Sequence, residues 1–277
     1  MMPEISKALF RHLGVSAYDI ATRDKLPILA ELMSPGDQGL ALDIGSGTGY
    51  TTYGVFGDRP TVCLDLHAPN LQYHRTLMAS VPGAHPPLSV VARATALPFK
   101  AGVFSYILCS EVLEHIEEDD KAATEMARVL TCTGKAVISV PYTGNGFTSF
   151  LELCGIKSVH DFPGPERHVR PGYDEYSMGK LLSAAGLEIE RKAFYFRFFT
   201  RLTADLISLA HRSYQRLVHR RLAWTWSEAA AVEGTLAFHL YMWVYPVVWA
   251  FARIDALWGL KRGFGLIISV RKRNRER

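Results

Sequence analysis

The feature that most constrains the fold is an alternation of short apolar runs with helix-like stretches. Strands that alternate with helices form βαβ units, and these units place the strands parallel in one sheet. Parallel strands covered on both faces are nearly continuous apolar runs. The pattern therefore predicts a doubly wound, mostly parallel α/β sheet. The predicted strands are 40–44, 61–66, 88–92, 104–110 and 135–141, and helix-like stretches include 69–80 and 119–130.

The remaining segments fit around this alternation. A helix is predicted over 18–34 with a break near Pro27, and another over 174–185, followed by a strand over 187–196. Segment 142–173 is rich in Gly, Pro, His and aromatic residues and has little periodicity, which is typical of a functional lid. Residues 198–262 are mostly helical and apolar, and a last strand is predicted over 265–270. We therefore expect one domain over 1–277, with 198–262 as an insertion.

Charge is unevenly distributed along the chain. Residues 1–190 carry 15 Lys and Arg against 22 Asp and Glu, a net of −7. Residues 191–277 carry 16 Lys and Arg against 5 Asp and Glu, a net of +11. This asymmetry indicates that the C-terminal third faces an anionic partner, either a membrane surface or nucleic acid.

A glycine-rich turn, LDIGSGTG at 42–49, follows the first strand and opens a helix. Glycines at such a turn let a ligand approach the backbone closely. Tyr50 stands where a dinucleotide fingerprint has its third glycine. Asp43 would repel a pyrophosphate, but it suits an ammonium group, directly or through water. The second strand ends at Asp65, 20 residues beyond Gly45, where a carboxylate can accept both ribose hydroxyls. Together these features favour an adenosine-containing ligand with an ammonium group.

Three further motifs continue the same order: ATALPF, a strand running into CSEVLEHI, and EMARVLTCTGKAVISVPY. In this order the motifs resemble class I S-adenosylmethionine-dependent methyltransferases of the quinone- and small-molecule-methylating type, the methyltransferase type 11 group. The resemblance covers about residues 17–195 and the final strand. It implies a Rossmann-like, seven-stranded sheet with an antiparallel last strand, and S-adenosyl-L-methionine as cofactor.

The resemblance also implies which residues contact the cofactor. Arg93 departs from the pattern, because the family usually has an Asp there that accepts from the adenine amino group, and Arg accepts no hydrogen bond. With Asp43, the expected cofactor-binding residues are Gly45, Ser46 and Gly47 for the methionine and ribose, Asp65 and Leu66 for the ribose and one adenine face, Ala94 and Thr95 beside the adenine, and Ser110 and Glu111 near the sulfonium.

The candidate catalytic residues are His115, Tyr142 and His168. For Glu111-x-x-Glu114-His115, with the two acids one helical turn apart, three interpretations stay open. His115 is a general base, or the three side chains hold a divalent ion, or they form an ordinary helix start. No metal site is assigned. His160, Asp161, His168 and Arg170 belong to the lid segment that in related enzymes approaches the acceptor, and Tyr142 follows the fifth strand.

The insertion is apolar, basic and aromatic. Residues 235–252 carry no formal charge, and their 18 residues are at the lower edge of membrane-spanning length. All five tryptophans of the chain lie within 224–258, interleaved with basic residues, as at a membrane interface. Peripheral membrane contact, a helical lid over an acceptor pocket and a true span stay open. The first two favour a hydrophobic or lipid-linked acceptor.

These observations predict an enzyme that methylates a hydrophobic small molecule, preferably at oxygen. Two alternatives remain. Methylation of RNA or DNA would explain the +11 region, although Cys109-Ser110-Glu111-Val112 replaces the D/N-P-P-Y/F motif of many base-amino methylases. A non-catalytic cofactor-binding partner in a membrane-associated complex would explain Arg93. Four cysteines without paired spacing and an N-terminus without a secretory signal favour the cytoplasm, with association at the inner face of the membrane left open.

Overall fold

A computed structural model describes residues 20–33, 39–57, 59–80, 87–145, 150–154, 168–218, 236–257, 259 and 261–273. The strands are β1 Ala41–Ile44, β2 Thr61–Asp65, β3 Leu88–Val91, β4 Phe104–Ser110, β5 Leu130–Pro141, β6 Leu187–Tyr195 and β7 Gly265–Lys272. The helices are α1 Ile20–Met33, α2 Tyr50–Phe56, α3 Ala68–Ser80, α4 Asp119–Val129, α5 Phe150–Leu153, α6 Glu175–Ala184, α7 Phe198–Val218, α8 Leu236–Ala252 and α9 Ile254–Leu257.

The seven strands form one sheet in the order β3-β2-β1-β4-β5-β7-β6. Strands β1 to β5 pair in parallel, whereas β7 is antiparallel to both β5 and β6. The predicted doubly wound, mostly parallel sheet with an antiparallel last strand is therefore confirmed. The strand order reverses between β1 and β4. In open α/β sheets a ligand crevice lies at the carboxyl edge of this switch point.

Side chains of the central strands alternate between two cores. Along β1 and β4, Leu42 and Ile107 belong to one buried cluster, and Ala41 and Leu108 belong to the other. Helices cover both faces, which explains why the strands are continuous apolar runs. Strand β5 is longer than predicted, because Leu130 already pairs with Phe104 before a register shift that leads to Lys135 opposite Tyr106.

Helix α1 differs from the prediction at Pro27, because the helix continues through this residue. A proline inside a helix loses one backbone hydrogen bond and costs about 3 kcal/mol. The compensation is burial: Leu26, Leu29, Leu32 and Met33 are all buried, and they pack in the same core as α2. Burying one such side chain contributes about 1.5–3 kcal/mol, so the packed face outweighs the lost bond.

The predicted insertion contains α7, α8 and α9, which lie between β6 and β7 in the chain. Asp255 ties α9 to the start of α7, because its carboxylate accepts from the backbone N–H groups of Phe199 and Thr200 at 2.9 and 2.8 Å. Helix α8 leaves several large apolar side chains exposed, including Trp243 and Val247. Within the described part of the chain, no helix combines the length and apolarity needed to cross a membrane.

Candidate functional site

The glycine-rich turn lies at the carboxyl end of β1, where Gly45, Gly47 and Gly49 have φ of +69°, +53° and +84°. Two of these glycines are packed tightly. A Cβ on Gly45 would lie 2.3 Å from Val112, and one on Gly49 would lie 2.0 Å from the His74 imidazole. A Cβ on Gly47 would meet no protein atom within 4 Å. Gly47 therefore presents backbone to the open side of the turn, where a ligand can approach.

Asp65, at the end of β2, holds the turn in place. One carboxylate oxygen accepts from the Gly47 N–H at 2.9 Å, and the other accepts from the His67 N–H at 2.8 Å. A carboxylate oxygen has two acceptor sites, so each oxygen retains capacity for one ribose hydroxyl. The predicted position of Asp65 beside the glycine turn agrees with this geometry.

Asp43 lies beneath the turn rather than at its surface. The carboxylate is buried and accepts a hydrogen bond from the Thr52 hydroxyl of α2. Burial raises the pKa of Asp43, the hydrogen bond from Thr52 lowers it and the charge of Asp65 raises it again, so that the net pKa is about 7. Asp43 therefore lies under the backbone of the glycine-rich turn.

Glu111 directly follows β4 and has an unusual backbone, φ +57°, so it does not share a helix face with Glu114. The prediction of the two acids one helical turn apart is wrong, because the helix that follows is a single 3₁₀ turn over Leu113–His115. Such an outlier in a residue other than glycine costs about 1–3 kcal/mol, so it points to a functional position.

The Glu111 carboxylate is held by three side chains from other elements. Oε1 accepts from the hydroxyls of Ser139 and Tyr195, each at 2.7 Å, and lies 3.8 Å from the Lys25 ammonium. Burial by itself raises the pKa of Glu111, but the Lys25 charge and the two hydrogen bonds outweigh it and lower the pKa below its usual value. Glu111 is therefore a fixed carboxylate at the carboxyl edge of the sheet.

Glu114 has the opposite environment. Its side chain is fully buried, and neither carboxylate oxygen has a hydrogen-bond partner within the described ranges. Burial, and then the charge of Glu111, raise the pKa of Glu114 well above its usual value. The Nε2 atom of His115 lies 4.0 Å from Oε1 of Glu114. The imidazole of His168 stacks edge-on against His115, with 4.6 Å between ring centroids.

The end of the lid segment, residues 168–173, is clamped onto the 3₁₀ turn. Val169 N–H donates to the Glu114 carbonyl at 2.9 Å. The Arg170 guanidinium donates to Asp119 and to the carbonyls of Ile116 and Glu117. Arg170 therefore holds His168 beside His115 instead of reaching towards an acceptor. The other lid candidates, His160 and Asp161, lie outside the described residues.

Tyr142 directly follows β5 at the carboxyl edge of the sheet, as predicted, but its side chain points into the core rather than towards solvent. Its side chain is 3% exposed, and its ring packs against Phe194 with 5.0 Å between centroids. Its backbone N–H donates to the Phe264 carbonyl at 2.8 Å. The residue therefore belongs to the core that supports the carboxyl ends of β5 and β6.

The other predicted cofactor residues surround the same crevice. Leu66 is 53% exposed just past β2, and Ala94 and Thr95 are half-buried just past β3. Ser46 is buried within the turn, and the Ser110 hydroxyl lies 2.9 Å from that of Ser139. Arg93 is exposed. The predicted residues thus converge on one edge of the sheet from β1, β2, β3 and β4.

Several residues of this site were not singled out from the sequence, among them Lys25, His74, Ser139 and Tyr195. Lys25 and Tyr195 reach Glu111 from α1 and β6, which are distant in the chain. His74 packs against Gly49 from α3, and burial lowers its pKa to about 4, so it is neutral. No local motif marks these positions, since each depends on which side of its own helix or strand faces the crevice.

A glycine turn and an acidic strand end flank the switch point of a 3-2-1-4-5-7-6 sheet, which is the arrangement of class I S-adenosylmethionine-dependent methyltransferases. Residues 42–138 match the family model described as "Methyltransferase domain". This match spans the glycine turn, Asp65, the 3₁₀ turn and most of β5. This match supports the predicted enzyme class, a methyltransferase with S-adenosyl-L-methionine as its cofactor, over residues 42–138.

Solved structures agree on the fold. A Bacillus halodurans protein assigned as a methyltransferase is 16% identical, with coverage of 90% of this chain and 99% of that chain and a TM-score of 0.58. The [4+2]-cyclase SpnF is 18% identical and has a TM-score of 0.56, and the alignment covers 90% of this chain and 80% of the cyclase chain. A geranyl diphosphate methyltransferase in complex with GPP and sinefungin is 12% identical, with coverage of 89% and 77% and a TM-score of 0.54. No curated protein matches the chain in sequence.

Proposed function

We propose that this enzyme transfers the methyl group of S-adenosylmethionine to a hydroxyl oxygen of a hydrophobic or lipid-linked small molecule. The observation that carries the proposal is the contact between His115, in the 3₁₀ turn that follows β4, and His168 of the lid segment. Val112, three residues before His115, packs directly against Gly45 of the cofactor turn. His115 therefore belongs to the segment that adjoins the glycine-rich turn, and in this proposal the acceptor binds beside it.

Methyl transfer is an in-line displacement at a carbon that the sulfonium already activates, so positioning supplies most of the catalysis. In this proposal Gly45, Ser46, Gly47 and Asp65 hold the methionine and ribose, with Asp43 beneath them. Leu66, Ala94 and Thr95 flank the adenine, and Ser110 and Glu111 face the sulfonium end.

An oxygen acceptor also has to lose its proton, and a carbon or nitrogen acceptor has less need of such help. His115 and His168 are the groups that promote this loss. Tyr142 supports the sheet edge from the core.

We also propose that segment 198–262 rests on an anionic membrane surface and presents the enzyme to its acceptor. Trp243 and Leu257 are 85% and 88% exposed, and Val247 is 73% exposed. Arg253, Lys261 and Arg262 are exposed nearby in the chain, within the +11 region. Exposed aromatic and aliphatic side chains beside cations are the composition of a helix that lies in a bilayer interface.

The test of the chemistry uses the purified protein and S-adenosylmethionine carrying a labelled methyl group. Lipophilic phenols and hydroquinones are offered beside their O-methylated counterparts and beside total tRNA. Label is expected in an organic-soluble product of a hydroxylated acceptor, and none in its O-methylated counterpart. His115→Gln is expected to lower kcat by about 100-fold with an unchanged affinity for S-adenosylhomocysteine. Label in RNA, or no transfer to any hydroxyl compound, would contradict the proposal.

The membrane proposal predicts binding to vesicles that contain phosphatidylglycerol. The double variant Trp243→Ser, Leu257→Ser is expected to bind at least about tenfold more weakly, because two large side chains no longer enter the apolar phase. The matched control is Tyr176→Ser, Leu88→Ser, which removes side chains that are 79% and 69% exposed on α6 and β3. Co-sedimentation measures both. Equal losses in the two variants, or no loss in the first, would refute this surface.

A further inference from the structure

The buried carboxyl group of Glu114 is the polar group that the methyltransferase fold leaves unexplained. Both of its oxygens are buried without a hydrogen-bond partner within the described ranges. An unpaired carboxylate at this depth is expensive, and its charge has to be balanced by a proton or a cation. Buried polar groups without partners are rare in native proteins, and a bound ion is one of their standard explanations.

Two imidazoles lie beside this carboxyl group. One donor atom from each of Glu114, His115 and His168 can be chosen so that all three lie within 4.8 Å of one another. The Nδ1 atom of His115 is also buried without a hydrogen-bond partner within the described residues. Donor atoms around a four-coordinate Zn²⁺ lie roughly 3.3 Å apart, given bond lengths of about 2.0–2.2 Å. Small rotations of the two half-buried imidazoles would close this difference.

The lid segment supplies the third of these side chains, His168. His168 is held against the 3₁₀ turn because Val169 and Arg170 bind the backbone of Glu114, Ile116 and Glu117. Tyr173 reinforces this attachment by donating to Asp119 at 2.7 Å. Glu111, in contrast, is engaged by Ser139, Tyr195 and Lys25. The cluster therefore has two imidazoles and one carboxylate, with Glu111 outside it.

We propose that Glu114, His115 and His168 bind a divalent transition-metal ion, with Zn²⁺ as the representative, and that the acceptor hydroxyl coordinates this ion. Two imidazoles and one carboxylate are a donor set for Zn²⁺, Fe²⁺ or Mn²⁺ rather than for Mg²⁺, which takes mainly oxygen ligands. Three protein ligands leave a coordination position open, as in catalytic zinc sites.

The inference rests on the proposed function and specifies how the histidine pair acts in it. A hydroxyl bound to the ion has a lowered pKa, so its O–H bond breaks and the proton passes to water. The oxygen then forms a bond to the methyl carbon while the bond from that carbon to sulfur breaks, and S-adenosylhomocysteine leaves. The ion changes neither its charge nor its ligands from the protein.

The test is a cobalt titration of full-length protein that has been treated with a chelator. Co²⁺ reports its ligands through visible absorption, and Zn²⁺ is then added as a competitor. One equivalent of Co²⁺ is expected to bind and to be displaced by Zn²⁺. His168→Gln is expected to weaken binding by about 100-fold or more, because even the loss of a group that only orients a ligand costs 10–100-fold. His67→Gln, which removes another half-buried histidine, is the matched control and should bind as the wild type does.

Absence of stoichiometric Co²⁺ binding would overturn the inference, and so would equal affinity in wild type and His168→Gln. Glu114→Gln keeps the side-chain shape and should give the same loss as His168→Gln. If Glu114→Gln does not fold, His168→Gln still decides the question, because His168 is only half-buried. The titration contains no acceptor, so a failed search for methylated products would leave its result unaffected. Cobalt binding and methyl transfer can thus fail separately.

Discussion

Gly47→Ala is expected to lower the affinity for S-adenosylhomocysteine by at least about 100-fold, which corresponds to about 2.7 kcal/mol. Gly47 lies in the cofactor turn with φ +53°, and an added Cβ meets no protein atom within 4 Å. The methyl group would instead fill the space through which a ligand approaches the backbone. The substitution should lower the free energy of unfolding by only about 1–2 kcal/mol, because a residue with a Cβ is less stable than glycine in a left-handed conformation.

Gly102→Ala is the matched control for this prediction. Gly102 has φ +67° and also has open space around its Cβ position, so the backbone cost is similar. It precedes β4, with its N–H bound to the Arg128 carbonyl at 3.0 Å, at the edge of the sheet opposite the cofactor turn. Calorimetric titration and thermal unfolding of both variants give affinity and stability. Equal affinities in the two variants would place the cofactor elsewhere.

The second large effect concerns stability and pH. In the ligand-free protein, the free energy of unfolding of Asp43→Asn is expected to increase relative to that of the wild type as pH rises from 4 to 8. The expected increase is about 4 kcal/mol. Burial holds the pKa of Asp43 at about 7 in the folded protein, against 3.8 for the ordinary carboxyl group. Well below pH 3.8 the group is protonated in both states, so its contribution to stability is complete. Between the two pKa values only the unfolded chain ionises, and the contribution is lost as pH approaches 7.

The comparison uses urea unfolding at several pH values, because the contributions of all other groups largely cancel between variant and wild type. Asparagine retains an oxygen that can accept from Thr52, so the main change is the loss of the titrating group. Asp174→Asn is the control of opposite sign. Hydrogen bonds from Ser177 lower the pKa of Asp174, so this variant should lose stability relative to the wild type as pH rises. A stability difference for Asp43→Asn that does not vary with pH would contradict the assigned environment.

Much of the fold follows from local patterns. Continuous apolar runs such as 104–110 are typical of strands buried on both faces, and the structure places them in the parallel part of the sheet. The glycine turn and Asp65 were also recognisable, because both lie at strand ends and a parallel sheet brings such ends to one edge. The predicted helix break at Pro27 was wrong. The sequence shows the backbone hydrogen bond that a proline loses, but it does not show that Leu26 and Leu29 are buried.

The candidate site was only partly predictable. His115 and His168 were both singled out, but their contact depends on Arg170, whose three hydrogen bonds join segments more than 50 residues apart. The sequence also did not show that the Glu114 side chain is fully buried. The spacing in the sequence predicted that Glu114 and Glu111 share one helix face. In the structure the positive φ of Glu111 changes the chain direction, so the two carboxylates lie in different environments.

The sequence by itself determined the class of fold, the glycine-rich turn and the enzyme class. These depend on periodicity and on residues close together in the chain. Only the tertiary structure decided that Asp43 lies under the turn, that Lys25 and Tyr195 hold Glu111, and that Glu114 lies buried beside two histidines. Each of these depends on burial and on contacts between distant segments. The free energy of a charged group is determined by such surroundings, and these exist only once the chain has folded.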